Sequence, residues 1–296
     1  MSAYRFIEAE KVGARNVAAA CALLKVSRSA FYGWHHHQAG PRAIEDAKLT
    51  AKIVEIHAES RATYGSPRIK AALAREGTGV GRKRVARLMV ASGLAGRYRR
   101  RKIRTTIPDP EANGIMVDRL HRAFDPTSTA LDRVYLGDIT YVRTHEGWLY
   151  LASCIDLASR RVVGFSMADH MRASLVCDAL AAAIAARRPA DGFTFHSDRG
   201  SQYTSGDFRK LLGKHKAFQS VSRPRQCWDN AVAESFFSTL KEELVYRSSF
   251  PTRAAAKAAI FEFIEVFYNR GRLHSSLGNL SPAEYEEQRR KLPEAA

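Results

Sequence analysis

Apolar positions follow two different rhythms along the chain, and the change falls near residue 131. Before it they recur at helical spacing. ARNVAAACALLKVSRSAFYGW predicts a helix over about 15–24, a break at Lys25-Val26, and a second helix with Ser27 as its N-cap. This is the pattern of a helix-turn-helix, although a plain helical hairpin has the same periodicity. YGSPRIKAALAREGTGVGRKRVARLMVASGL predicts two more helices, the first opened by Ser66-Pro67 and the two separated by Gly77 to Gly81.

From residue 131 the runs become alternating or continuously apolar. RVYLGDITYV, GWLYLASCIDLA and RRVVGFSMA read as three consecutive strands in an antiparallel meander. ASLVCDALAAAIAARR then reads as a helix, FTFHSD as a short strand, SGDFRKLLGKH as a helix and FQSVS as a fifth strand. The order β-β-β-α-β-α-β predicts an α/β domain built on a mixed five-stranded sheet with flanking helices. CWDNAVAESFFSTLKEEL, which Asp229 or Asn230 can cap, TRAAAKAAIFEFIEVFYNRGRLHSS and SPAEYEEQRRKL continue the chain as helices, the last started by Ser281-Pro282. The divisions expected are a helix-turn-helix region at 1–60, a second helical region at 61–100, a basic linker at 101–130, the sheet domain at 131–250 and a C-terminal helical extension at 251–296.

Charge changes the picture of the first part. The net charge is +17, and residues 1–110 hold 22 Lys+Arg against 8 Asp+Glu, leaving 25 against 22 for the rest. Such a bias fits a polyanion partner, and nucleic acid is the commonest. Arg28, Ser29 and Tyr32 lie at the start of the second helix, where a helix-turn-helix reaches base edges and phosphates. Arg82, Lys83 and Arg84 open another helix and suit phosphate contacts, as they also suit a solvated helix face. No apolar run reaches the roughly 18 residues of a membrane span, so a cytoplasmic setting is expected. Cys21, Cys154, Cys177 and Cys227 form no C-x-x-C pair, which argues against a zinc knuckle or a disulfide framework. The run His35, His36, His37 reads as surface histidines.

Candidate chemistry rests on three acids. Asp138 interrupts an apolar strand, Asp198 follows the end of another in HSDRGSQY, and Glu234 sits among Ala233, Phe236 and Phe237 on a helix. Asp198 before Arg-Gly also suits an ordinary turn. Three carboxylates held together repel one another unless a cation neutralises them. Mg²⁺ is the fitting hard ion, and Mn²⁺ can substitute; a pair of such ions can activate an attacking hydroxyl and stabilise the leaving oxygen of a phosphodiester. Isolated acids with no common site remain the alternative.

The set DITYV, HSDRGSQY and CWDNAVAESFFSTLKEE resembles the catalytic core of bacterial insertion-sequence transposases of the IS-three family, specifically their OrfB product. VSRSAFYGW, YGSPRIKAAL and YNRGRLHSSLGNLSPAEY extend the resemblance over nearly the whole chain. It implies a ribonuclease-H-like fold related to retroviral integrases, and a D-D-E recombinase in which Asp138, Asp198 and Glu234 hold two divalent ions. Lys241 matches the lysine that contacts element-end DNA, and His196, Gln202 and Asn230 match supporting positions. The implied chemistry is hydrolysis at the element's terminus, followed by attack of the freed 3′-hydroxyl on target DNA. Implied partners are double-stranded DNA, further copies of this chain assembled on it, and the upstream OrfA product, fused or separate. Tyr135 stands where the family commonly has Trp. A ribonuclease-H-like nuclease or resolvase, and a DNA-binding regulator with an idle core, are the competing functions.

Overall fold

The computed structural model describes residues 2–36, 40–97, 118, 120, 125–222 and 230–291. Most of the linker expected at 101–130, together with His37, Cys227, Trp228 and Asp229, lies outside them. The chain divides into two compact units, Met1–Gly96 and Arg97–Ala296.

The first unit is helical. α1 (Ala3–Val12), α2 (Val17–Leu23) and α3 (Arg28–His35) meet through buried Ile7, Cys21 and Phe31. Helix α2 begins later than its periodicity suggests, because the Asn16 side chain accepts from Ala18 N–H and Ala19 N–H and so defines the cap. Lys25 takes a positive φ of 52° in the break, and Ser27 caps α3 by accepting from Ala30 N–H. α4 (Pro41–Glu59), α5 (Ser66–Arg75) and α6 (Arg82–Ala91) pack on one another. Gly65, not Ser66, is the N-cap of α5; Ser66 is its first residue and makes no capping bond.

The second unit contains the predicted sheet. β1 (Val134–Thr144), β2 (Gly147–Asp156) and β3 (Val162–Ala168) form the antiparallel meander, and β4 (Thr194–Ser197) and β5 (Phe218–Val221) add in parallel to give the order β3-β2-β1-β4-β5. This is the mixed five-stranded sheet that the pattern predicted. α7 (Ala173–Arg187) and α8 (Gly206–Lys214) lie against it, burying Tyr135, Cys154, Phe195, Leu180, Phe208 and Leu212 in one core. The approach of α7 is close: a Cβ on Gly164 would come 2.4 Å from the Ala179 carbonyl oxygen, so only glycine fits there.

α9 (Ala231–Glu243), α10 (Arg253–Glu262) and α11 (Pro282–Lys291) belong to the same unit as the sheet. After α10 the chain widens into a π-helical turn, Phe263–Tyr268, and Asn269 N–H donates to the Ile264 carbonyl across it. The Asn269 amide then brackets β3 by accepting from Val162 N–H and donating to Val162 O, both at 3.0 Å. Ser281 and Glu284 cap α11 reciprocally, with Ser281 N–H donating to the Glu284 carboxylate at 2.8 Å and Glu284 N–H to Ser281 Oγ at 3.3 Å. Glu286 on α11 is buried and accepts from Ser159, Arg161 and Arg187, whose guanidinium also holds Asp132.

Glu243, the last residue of α9, forms a buried fork with Arg272 through bonds of 2.8 and 2.7 Å. Removing one partner strands the other charge away from water. Arg272→Ala is expected to destabilise the unit by about 3–5 kcal/mol in urea unfolding; a change below about 1 kcal/mol would mean that the pair does not anchor α9.

Candidate active site

Three departures from regular pairing build the site. The first is at β4, which pairs with β1 only through Val134, Tyr135 and Leu136, with Leu136 opposite His196. Two residues farther along each chain stand Asp138 and Asp198, the former still in β1 and the latter just past the end of β4. Equal steps from a shared parallel register bring the two acids to the same level beside the divergence of the strands.

The second departure is at Gly137. A Cβ there would lie 2.3 Å from the Phe195 ring and 3.1 Å from Tyr203, so the aromatic side chains occupy that space. The Gly137 carbonyl accepts from the Asn230 amide at 3.0 Å, just where β4 turns away. Asn230 is thus the N-cap position of α9, as expected, but its side chain makes no capping bond and reaches across to the strand. Glu234 is one helical turn later and lies on the same face of α9, which packs on β1. It is half-buried.

The third departure is the turn at Asp198, whose Oδ1 accepts from Gly200 N–H at 3.0 Å. The turn anticipated in HSDRG is present. The residue is open to solvent on one side, yet burial among protein atoms raises its carboxyl pKa, against the lowering effects of the Gly200 N–H and of His196. Asp138 is half-buried and its Oδ1 accepts from Ile139 N–H at 2.8 Å.

Tyr203 connects the two aspartates. Its ring is buried among Phe195 and Phe208, but its hydroxyl has no hydrogen-bond partner. Burial pushes the phenol well above its ordinary pKa, and the charges of Asp138 and Asp198 push it further. Both carboxylates are therefore close enough to act on one hydroxyl. Nothing in the sequence indicated this orphaned oxygen. The Asn230 Oδ1 is a second buried oxygen without a partner.

The three acids share one end of the sheet without closing into a cage. Among the described residues no three His, Cys, Asp or Glu are gathered tightly enough to hold an ion. Asp156 provides the contrast: it too interrupts an apolar strand, but it is buried and saturated by Ser159 N–H, Ser159 Oγ and Asp132 N–H at 2.7–2.9 Å. It is a structural acid.

The supporting residues are tied down. His196 is buried with Nδ1 2.8 Å from Ser220 Oγ and Nε2 3.3 Å from Ser222 Oγ, so both ring nitrogens are engaged in holding β4 to the chain of β5. Gln202 donates from Nε2 to the Met171 carbonyl at 3.0 Å. Lys241 lies with Nζ 5.2 Å from the centroid of the Tyr141 ring.

In the helical unit, Arg28 and Ser29 are exposed on the first turn of α3, while Tyr32 is half-buried beneath Lys11 Nζ. Arg82 and Lys83 are exposed at the start of α6. Arg84 differs from the expectation of a phosphate contact, because its guanidinium is bonded to Asp46 at 2.7 Å and Glu45 at 3.2 Å on α4. A cation so paired has less charge to offer DNA.

Comparison with known proteins gives two matches to a family described as an integrase core domain, over residues 129–227 and 234–289, and one to an HTH-like domain over 43–102. The chain is 36% identical over 285 residues to the transposase InsF for insertion sequence IS3A of Escherichia coli K12, spanning 96% of this chain and 98% of that one. This chain belongs to the IS-three family of insertion-sequence transposases. It is also 40% identical over 267 residues to a 31 kDa protein of insertion element IS600 from Shigella sonnei, covering 90% and 97% of the two chains. Among solved structures it resembles the simian T-cell lymphotropic virus intasome (TM-score 0.45, 15% identity, 82% and 76% covered) and the BIV integrase catalytic core (TM-score 0.41, 18% identity, 54% and 97% covered).

Within this transposase, Asp138 and Asp198 fall in the first integrase-core segment, and Glu234 and Lys241 in the second. The HTH-like segment takes in α5, α6 and Arg82, Lys83 and Arg84, whereas Arg28, Ser29 and Tyr32 precede it. No helix among the described residues is long and apolar enough to cross a membrane.

An unsatisfied buried hydroxyl is costly. Tyr203→Phe is expected to raise unfolding stability by about 1 kcal/mol in metal-free buffer. A loss of stability would show that the hydroxyl has a partner in solution.

Proposed function

We propose that Asp138, Asp198 and Glu234 are the D-D-E ligands of this transposase and that it cleaves and joins DNA at the ends of its element with divalent metal. The observation that supports this reading is the meeting of β1, the end of β4 and α9, each bearing one of the acids, beside the buried oxygens of Tyr203 and Asn230, which have no hydrogen-bond partner among the described residues. The donor set is wholly oxygen, and the His196 imidazole is held by two serines. That suits Mg²⁺ or Mn²⁺, in a pair, rather than a thiolate- or imidazole-seeking ion. When bound, such ions neutralise the acids, sharpen an attacking water or 3′-hydroxyl as a nucleophile and stabilise the leaving oxygen.

The residues themselves divide the remaining work. Asp138, within a five-stranded sheet, is a rigid reference point. Asp198 is steadied by the Gly200 N–H. Glu234 rides on α9, which the Asn230–Gly137 bond and the Arg272–Glu243 fork hold at both ends. Lys241, two turns beyond Glu234, contacts the phosphate backbone of the element's end. Exposed Arg28 and Ser29, with Tyr32, and exposed Arg82 and Lys83 bind DNA outside the catalytic site. The chain acts as an oligomer on DNA, with the OrfA product as a further partner; joining assays on the flanking repeats with and without that product test the latter.

Asp138→Asn, Asp198→Asn and Glu234→Gln are each expected to abolish Mg²⁺-dependent cleavage and joining of end oligonucleotides while DNA binding persists. Normal joining by any of the three would remove that residue from the site. DNA affinity is expected to fall with salt by a logarithmic slope of about −0.9 per phosphate neutralised. Lys241→Ala should lower the slope by about one such step, and an unchanged slope would remove Lys241 from the phosphate contacts.

A further inference from the structure

Three residues past Asp138 on β1 stands Tyr141, and its ring is 54% exposed. The Trp148 ring, 45% exposed at the start of β2, meets it edge to face at 5.0 Å between centroids and 82° between planes. Single exposed aromatics are ordinary on protein surfaces. Here two lie in contact in an open position, with Lys241 Nζ set over the Tyr141 ring. Arg143, the cross-strand partner of Trp148, is also exposed. An aromatic pair flanked by cations suits an anion that carries a flat ring, and a nucleotide is such a ligand.

Position specifies the nucleotide further. Tyr141 lies about 10 Å along β1 from Asp138 and, an odd number of residues on, leaves the other face of the strand; what ties the pair to the acids is Lys241, carried on the same helix as Glu234. A stacked duplex hides its base faces, and only an unpaired base presents one to a protein ring. We infer that Tyr141 and Trp148 form a stacking platform for an unpaired nucleobase at the DNA end, with Lys241 and Arg143 matching the charge of its backbone. The inference rests on the acidic site being where the DNA end is processed. On this account the platform favours ends whose terminal pairs are open and keeps them open during reaction.

The test uses the full chain carrying Glu234→Gln, with magnesium, and two versions of the end oligonucleotide: fully paired, and mismatched at its last two pairs. 2-Aminopurine replaces an unpaired terminal base as a probe of stacking. The parent should bind the mismatched end more tightly and quench the probe. Adding Tyr141→Ala or Trp148→Ala should weaken the mismatched end about 5- to 150-fold, relieve the quenching and leave the paired end within about twofold. Tyr141→Phe should retain parent behaviour, since the ring and not the hydroxyl does the stacking. Equal weakening of both ends, or an unquenched probe in the parent, overturns the platform; the parent readout stands even if an alanine variant fails to fold. Cleavage of either end by the Glu234→Gln parent would instead count against the acidic site, so the two failures are distinguishable.

Discussion

The parallel pairing of β1 with β4 lasts only three residues, and the geometry of the acidic site depends on where it stops. Had it continued, the carbonyl of Gly137 would take its partner from a strand, and the end of β4 would have no room to turn. Because β4 leaves, one aspartate remains within the sheet while its counterpart stands in a turn one residue past the strand. Asn230 fills the hydrogen-bonding vacancy left on β1 and thereby brings the start of α9 to the same level. A single interruption of strand pairing therefore positions acids from three elements distant in the chain.

Placing like charges together creates an electrostatic problem, which the surroundings answer by restraint. Glu243 and Arg272 hold the far end of α9, Asn269 clasps β3, and Glu286 gathers arginines from the sheet and α7. These ion pairs and amide bonds sit away from the three candidate ligands. Asp156, by contrast, is a buried acid saturated within the sheet, and two buried oxygens beside the candidate ligands, those of Tyr203 and Asn230, lack partners among the described residues. Each buried oxygen left without a hydrogen bond costs stability.

Cations are distributed with similar discrimination. Arg84, although part of a conspicuous basic run, is held by Asp46 and Glu45, while its neighbours Arg82 and Lys83 are exposed. Lys241 is set over the Tyr141 ring. Charge counted along the chain overstates what is available at a surface, since ion pairs form between elements.

The order of strands and helices through the sheet domain and the change of class near residue 131 were legible in the sequence, and the three candidate acids stood out there, because periodicity and acids in apolar runs are local properties. Long α4 escaped that reading, and so did the contrast between Asp138 and Asp156, both acids within apolar strands. Their difference lies in partners drawn from elsewhere in the chain: Asp132 and Ser159 saturate one, and β4 abandons the other. The orphaned Tyr203 hydroxyl, the diversion of Asn230 from capping to bridging and the Tyr141–Trp148 pair share that origin. Sequence alone determined which residues can do chemistry and which elements carry them. Only the tertiary structure decided which acids are satisfied, which cations are paired and which rings meet, because hydrogen bonds and Coulomb forces act over ångströms in space, whatever the separation along the chain.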